Sequence, residues 1–229
     1  MKKFLKNLIN KLIAPYDRLP KIGFVIDATA SRAKTWQAAQ EIQVLMFNNV
    51  LTLHKTPILL KVVHFGGFSV KGSAWHKSAD DLSAYMQKVK CRAGITRIKQ
   101  ALSLYLTEGK NLKAICLIGD DAQLLNDMDD NWKELSNIAA QLGGMGIKVF
   151  TFLEGDNQTA RDVFQMIARL SGGAFASFGS KSDLSEMCQF VASFAALEAQ
   201  ALTQFINGGH TSEQVKSLAQ QLAITYQKN

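Results

Sequence analysis

Five short apolar runs, each followed by a stretch with apolar residues at helical spacing, constrain this fold more than any other feature of the chain. The runs are "IGFVIDA" (22–28), "ILLKVVHF" (58–65), "KAICLIGD" (113–120), "GIKVFTFL" (146–153) and "GGAFASF" (172–178). Their β-branched and aromatic residues, bounded by glycine and polar positions, predict buried strands. Between them, residues 33–53 place Trp36, Ile42, Leu45, Met46, Val50 and Leu53 near a helical period. Similar spacing predicts helices over 79–89, 96–106, 122–142, 158–170 and 182–206, and "GGFSVKG" (66–72) predicts a short edge strand. Strands that alternate with long helices are joined by crossovers and so lie parallel. The expectation is therefore an α/β fold: a doubly wound, mostly parallel sheet of about six strands with helices on both faces. In such sheets ligands bind beyond the carboxyl ends of the strands.

This unit spans residues 21–206. "NGGH" (207–210) interrupts the last helix, and 207–229 forms a C-terminal helical appendage opened by a Thr211 or Ser212 cap. At the other end, residues 1–20 form a basic amphipathic helix and linker. Phe4, Leu5, Leu8, Ile9, Leu12 and Ile13 recur at helical spacing among lysines, and Pro15 and Pro20 end the pattern. Of the formal net charge of +7, a surplus of five lies in the first 21 residues, where six cations face Asp17 alone. The rest of the chain is nearly neutral, so nucleic acid is not an expected partner. Packing against its own domain or another copy is the plain role for the leader; weak contact of residues 1–14 with an anionic membrane surface is the sharper one. Three widely spaced cysteines, Cys91, Cys116 and Cys188, without a paired motif fit free thiols in the cytoplasm, peripheral to the inner face of the membrane if the leader docks there.

The strand ends carry the chemistry. "DATAS" puts Asp27, Thr29 and Ser31 after the first strand, "AGIT" puts Thr96 at a loop-to-helix start, and "CLIGDD" puts Asp120 and Asp121 after the central strand. The carboxylates of Asp27 and Asp120 with the three hydroxyls make a poor nucleophilic device and a sensible partial shell for a hard cation such as Mg²⁺. Taken singly, the "DATAS" loop and the Asp120–Asp121 pair are also natural helix N-caps. Phosphate-loop, dinucleotide and nucleophile-elbow motifs are missing from the sequence. His54, His64, His76 and His210 lack metal-ligand spacing; His64, at a strand end, is the one near the loops in question, and Trp36 lies one helical turn beyond Ser31. Cys91, close to the Thr96 loop, reads as a packed thiol.

The D-x-[ST]-x-S pattern, a threonine in a Gly-x-Thr loop and an apolar strand ending in aspartate together resemble the von Willebrand factor A domain with its metal-ion-dependent adhesion site. "FVIDATASR.KTW..A..IQ..MF", "CRAGIT.I", "IGDD" and "GGAFASF" resemble bacterial stand-alone proteins containing this domain, from about residue 20 to the final helix. The resemblance implies Thr29 and Ser31 as direct ligands, Thr96 as direct or water-bridged, and Asp27 and Asp120 as an anionic outer shell around Mg²⁺, or Mn²⁺ or Ca²⁺ in its place. Thr29 stands where serine is commoner, and Asp121 stands where glycine usually follows. Asp121 is either an added ligand or a helix cap.

The expected function is a non-enzymatic, metal-dependent protein-binding module whose cation takes an Asp or Glu carboxylate from the partner. Two other readings are kept beside it. One is a metal-dependent hydrolase or phosphotransferase using Asp27 and Asp120 or Asp121; the other is a structural domain with a vestigial metal site.

Overall fold

The computed structural model describes residues 19–34, 36, 40–41, 47–48, 57–108, 111–122, 128–197 and 212–227. The expected N-terminal helix, most of the helix expected over 33–53, and the "NGGH" break lie outside these residues. Six strands form one sheet: β1 (Lys21–Asp27), β2 (Leu59–Gly66), β3 (Ser69–Gly72), β4 (Leu112–Gly119), β5 (Lys148–Glu154) and β6 (Phe175–Phe178). Their order is β3-β2-β1-β4-β5-β6. Every pairing is parallel except β2 with β3, a tight hairpin at the edge. The mostly parallel, doubly wound sheet expected from the alternation is what the chain forms.

Side chains alternate across the strands, so each strand feeds two cores. Phe24, Ile26, Val62, Cys116 and Phe150 face one side, where they meet α1 (Ala79–Met86), α5 (Lys181–Leu197) and α6 (Glu213–Gln227). Val25, Val63, Ile115, Leu117 and Val149 face the other, against α2 (Ile98–Leu106), α3 (Met128–Gly144) and α4 (Gln158–Ser171). Tyr105 of α2 is buried, and its hydroxyl donates to the carbonyls of Phe24 (3.0 Å) and Lys61 (3.1 Å), which fastens that helix across β1 and β2.

Several boundaries differ from expectation for local reasons. The "GG" of "GGAFASF" is not strand: Gly172 takes φ +69 and closes α4, with its N–H and that of Gly173 returning to Arg169 and Ala168. After β1 the chain enters a 3-10 helix, Ala30–Lys34, rather than opening directly into a longer helix. The C-terminal helix packs into one of the two cores. Ser212 caps it through Val215 N–H (3.4 Å), and Val215, Leu218, Ala219 and Leu222 are buried in the same core as β1 and β4.

Candidate metal centre

The exit of β1 builds the centre of the site. Asp27 is fully buried, and its Oδ1 accepts the Thr29 N–H at 2.8 Å in an Asx turn. That turn brings the Thr29 and Ser31 hydroxyls to 3.0 Å from one another. The other carboxylate oxygen, Asp27 Oδ2, is buried with no hydrogen-bond partner among the described residues, and so is Asp120 Oδ1 beyond the neighbouring strand β4. Native proteins rarely leave such oxygens orphaned. Burial pushes Asp27 up to about 6, the Thr29 hydrogen bonds work against this, and the charge of Asp120 adds to it. The two carboxylates are therefore electrostatic neighbours in a poorly solvated place.

The third loop arrives through backbone pairing. Arg92 N–H donates to Ala28 carbonyl (3.1 Å), Gly67 N–H donates to Arg92 carbonyl (3.2 Å), and Thr29 bridges Arg92 in parallel register. Gly94 makes the approach feasible: a Cβ there would lie 2.0 Å from the Gly67 carbonyl oxygen. Thr96 follows two residues later, half-buried, and its hydroxyl makes no hydrogen bond among the described residues.

Three other candidates have different surroundings. Asp121 Oδ1 accepts from Ala122 N–H (2.8 Å) and from Asn157 Nδ2 (3.1 Å); Asn157 in turn caps α4. Trp36 is buried, its indole N–H donating to the Val89 carbonyl (3.1 Å). His64 packs edge-on to Tyr85, with Nδ1 3.2 Å from the hydroxyl. Cys91 is half-buried, and its thiol is pushed up to about 11, chiefly by burial, which leaves it a poor nucleophile.

Sequence reasoning missed Arg32 and Glu154. Arg32 is only 2% exposed; it donates to the Asp27 carbonyl at 2.9 Å and grips Glu154 Oε2 through Nε (3.0 Å) and a terminal nitrogen (2.6 Å). It thus ties the exit of β1 to that of β5, on either side of β4. The available signal was Glu154 itself, one more carboxylate at a strand end.

Among the described residues no three His, Cys, Asp or Glu side chains form a metal-binding group. The donor set is two carboxylates with hydroxyls. All of these oxygens are hard, and two of the carboxylate oxygens are buried and unpartnered, so the residues fit a small hard cation better than a soft one.

Sheet order and winding define a doubly wound α/β protein, and the candidate cluster lies at the carboxyl ends of its strands. More narrowly, the chain has the von Willebrand factor A fold. It is similar to the conserved hypothetical protein BatB from Bacteroides thetaiotaomicron over 77% of this chain and 98% of that one, at 12% identity and a TM-score of 0.62. The SpRpn10 von Willebrand factor A domain is similar over 73% and 94%, at 13% identity and 0.58. Proximal thread matrix protein 1 from the mussel byssus, in a structure with a zinc-occupied metal-ion-dependent adhesion site motif, is similar over 77% and 46%, at 17% identity and 0.59. No family model and no curated protein matches the sequence.

Proposed function

We propose that this chain is a metal-dependent protein-binding module, and not an enzyme. Asp27, Thr29, Ser31, Thr96 and Asp120 would hold a divalent cation, Mg²⁺ before Mn²⁺ or Ca²⁺. The ion would supply an electrophilic position for an Asp or Glu carboxylate of the partner. The observation that carries this reading is the pair of buried, unpartnered oxygens, Asp27 Oδ2 and Asp120 Oδ1, beside the Thr29–Ser31 hydroxyl pair. Helix caps alone leave those oxygens unexplained. The likeness in fold to proximal thread matrix protein 1 lends support, since that protein holds zinc at such a motif.

On the same reading the chain works in the cytoplasm, where its three free thiols persist. No described helix is long and apolar enough to cross a membrane, and residues 1–14 would supply a weak contact with the anionic inner face.

The test is calorimetric titration with Mg²⁺, followed by a pull-down in Mg²⁺ and in EDTA. Asp27→Ala should abolish metal binding while the fold persists. Unchanged Mg²⁺ affinity in that variant would remove Asp27 from the site, and a partner retained equally in EDTA would sink the metal-dependent reading.

A further inference from the structure

Beside the oxygen cluster lies a cleft of about 210 Å³ whose character is opposite. His64 and Tyr85 form its inner wall, and Lys71, Lys88, Lys90 and Arg92 surround it. All four cations are exposed, and among the described residues none of them makes an ion pair and no carboxylate lines the cleft. Four like charges around one hollow repel each other. Within a Debye length of ~8 Å at physiological ionic strength they act together on whatever enters.

The cleft adjoins the candidate metal centre through the backbone. Arg92, one of its four cations, is the residue whose backbone pairs with Ala28 and Thr29. Gly66 is a second point of approach: it lines the cleft, and a Cβ there would lie 2.3 Å from the carbonyl oxygen of Ala28, between Asp27 and Thr29. At the tip of the adjoining β2–β3 hairpin, Phe68 is 84% exposed, the most open large apolar side chain described. Aromatic side chains and arginine are enriched at protein interfaces, and Phe68 and Arg92 supply one of each here.

We propose that this cleft is a second anchor for the partner: it takes a further acidic side chain from the same acidic segment that reaches the metal, while Phe68 packs against an apolar residue of that segment. The inference rests on the protein-binding reading above and specifies the partner's chemistry. A lone carboxylate satisfies the metal, and only a run of acidic residues satisfies both places. The near-neutral charge of the chain beyond residue 21 makes this local surplus of cations selective.

The experiment uses the full chain and a fluorescein-labelled hexaglutamate peptide, with affinity read by anisotropy in Mg²⁺ and in EDTA. Two variants each remove two exposed cations: Lys88→Ala with Lys90→Ala in the cleft, and Lys133→Ala with Arg169→Ala on α3 and α4. The cleft variant should lose about five- to tenfold in both buffers, since an exposed pair contributes a factor of a few. The control should lose little, and Phe68→Ser should weaken a peptide carrying one leucine more than hexaglutamate itself. Equal losses in the cleft and control variants would overturn the cleft, even if EDTA still weakens binding and so leaves the metal reading intact. A loss confined to the cleft variant with no effect of EDTA would keep the cleft and sink the metal reading. Polyuridine that binds more tightly than hexaglutamate, with the same variant sensitivity, would assign the cleft to nucleic acid and overturn the proposal.

Discussion

Asp27 holds two oxygens in opposite situations: one closes the Asx turn with Thr29, and the other is buried with no donor among the described residues. A buried charge that is only half satisfied costs stability, and a neutral isostere relieves it. Asp27→Asn keeps the acceptor for Thr29 and removes the charge. It should therefore stabilise the metal-free protein by about 1–3 kcal/mol while losing Mg²⁺ affinity. Thermal melts in EDTA check the first half and calorimetry the second; a variant melting below the parent in EDTA would mean the charge is already compensated. His64 responds to pH in the other sense. Burial, with a smaller contribution from Lys71, pushes its imidazole down to about 4 from 6.5. The folded state thus resists a proton that the unfolded chain accepts. The stability this provides is full above pH 6.5 and is lost as pH falls through 4. Because the ring is partly open to solvent, the loss is about 1–2 kcal/mol, less than the full shift would give. His64→Gln should flatten the fall in denaturant midpoint between pH 7 and pH 4, and parallel slopes would free His64 of that role.

At the scale of elements, the strands were legible because each packs on both faces and so reads as an unbroken apolar run. β1, β2, β4 and β5 follow their runs to within a residue or two. The loop contacts were not legible. Nothing local in "CRAGIT" says that Arg92 will pair with Ala28 or that Gly94 will lie on Gly67, since both depend on where a separate hairpin ends. Gly94→Ala should push the 91–97 loop outward, cost about 1–3 kcal/mol through the clash, and weaken Mg²⁺ binding by displacing Thr96. Wild-type affinity in that variant would mean Thr96 contributes nothing. Arg32 was hidden for a similar reason: an arginine following "TAS" looks solvated until Glu154, 122 positions on, is seen to meet it. Arg32→Met should cost about 2–4 kcal/mol, because Glu154 and the Asp27 carbonyl both lose their donor. Rescue of the melting temperature by pairing it with Glu154→Gln would confirm that the cost is the stranded carboxylate, and additive losses would refute it.

At the scale of the whole molecule, the two ends of the chain looked alike in sequence, each a short amphipathic helix set off by helix-breaking residues. Periodicity shows that a helix has an apolar face and says nothing of what covers it. For α6 the structure answers: Val215, Leu218, Ala219 and Leu222 are fully buried in the core shared with β1, β4 and α5, and the Gln221 side chain bonds both ways with the backbone of Phe175 on β6. Each buried Val or Leu contributes about 1.5–3 kcal/mol, so the helix supplies several kcal/mol, a large share of what a domain of this size has in total. Truncation after residue 211 should therefore abolish cooperative unfolding or lower the melting temperature by well over ten degrees. The basic end is predicted to behave differently, since its lysines make a surface as readily as its leucines make a core. Deletion of residues 1–18 should leave the melting temperature nearly unchanged and reduce binding to vesicles containing phosphatidylserine. Each cation near such a surface contributes about 1 kcal/mol, so that loss should be steep in salt. The two truncations form one experiment, read by calorimetric melts and vesicle sedimentation. If both collapse the melt, residues 1–18 belong to the core and the membrane contact falls; if neither does, the packing of α6 stabilises far less than its burial demands.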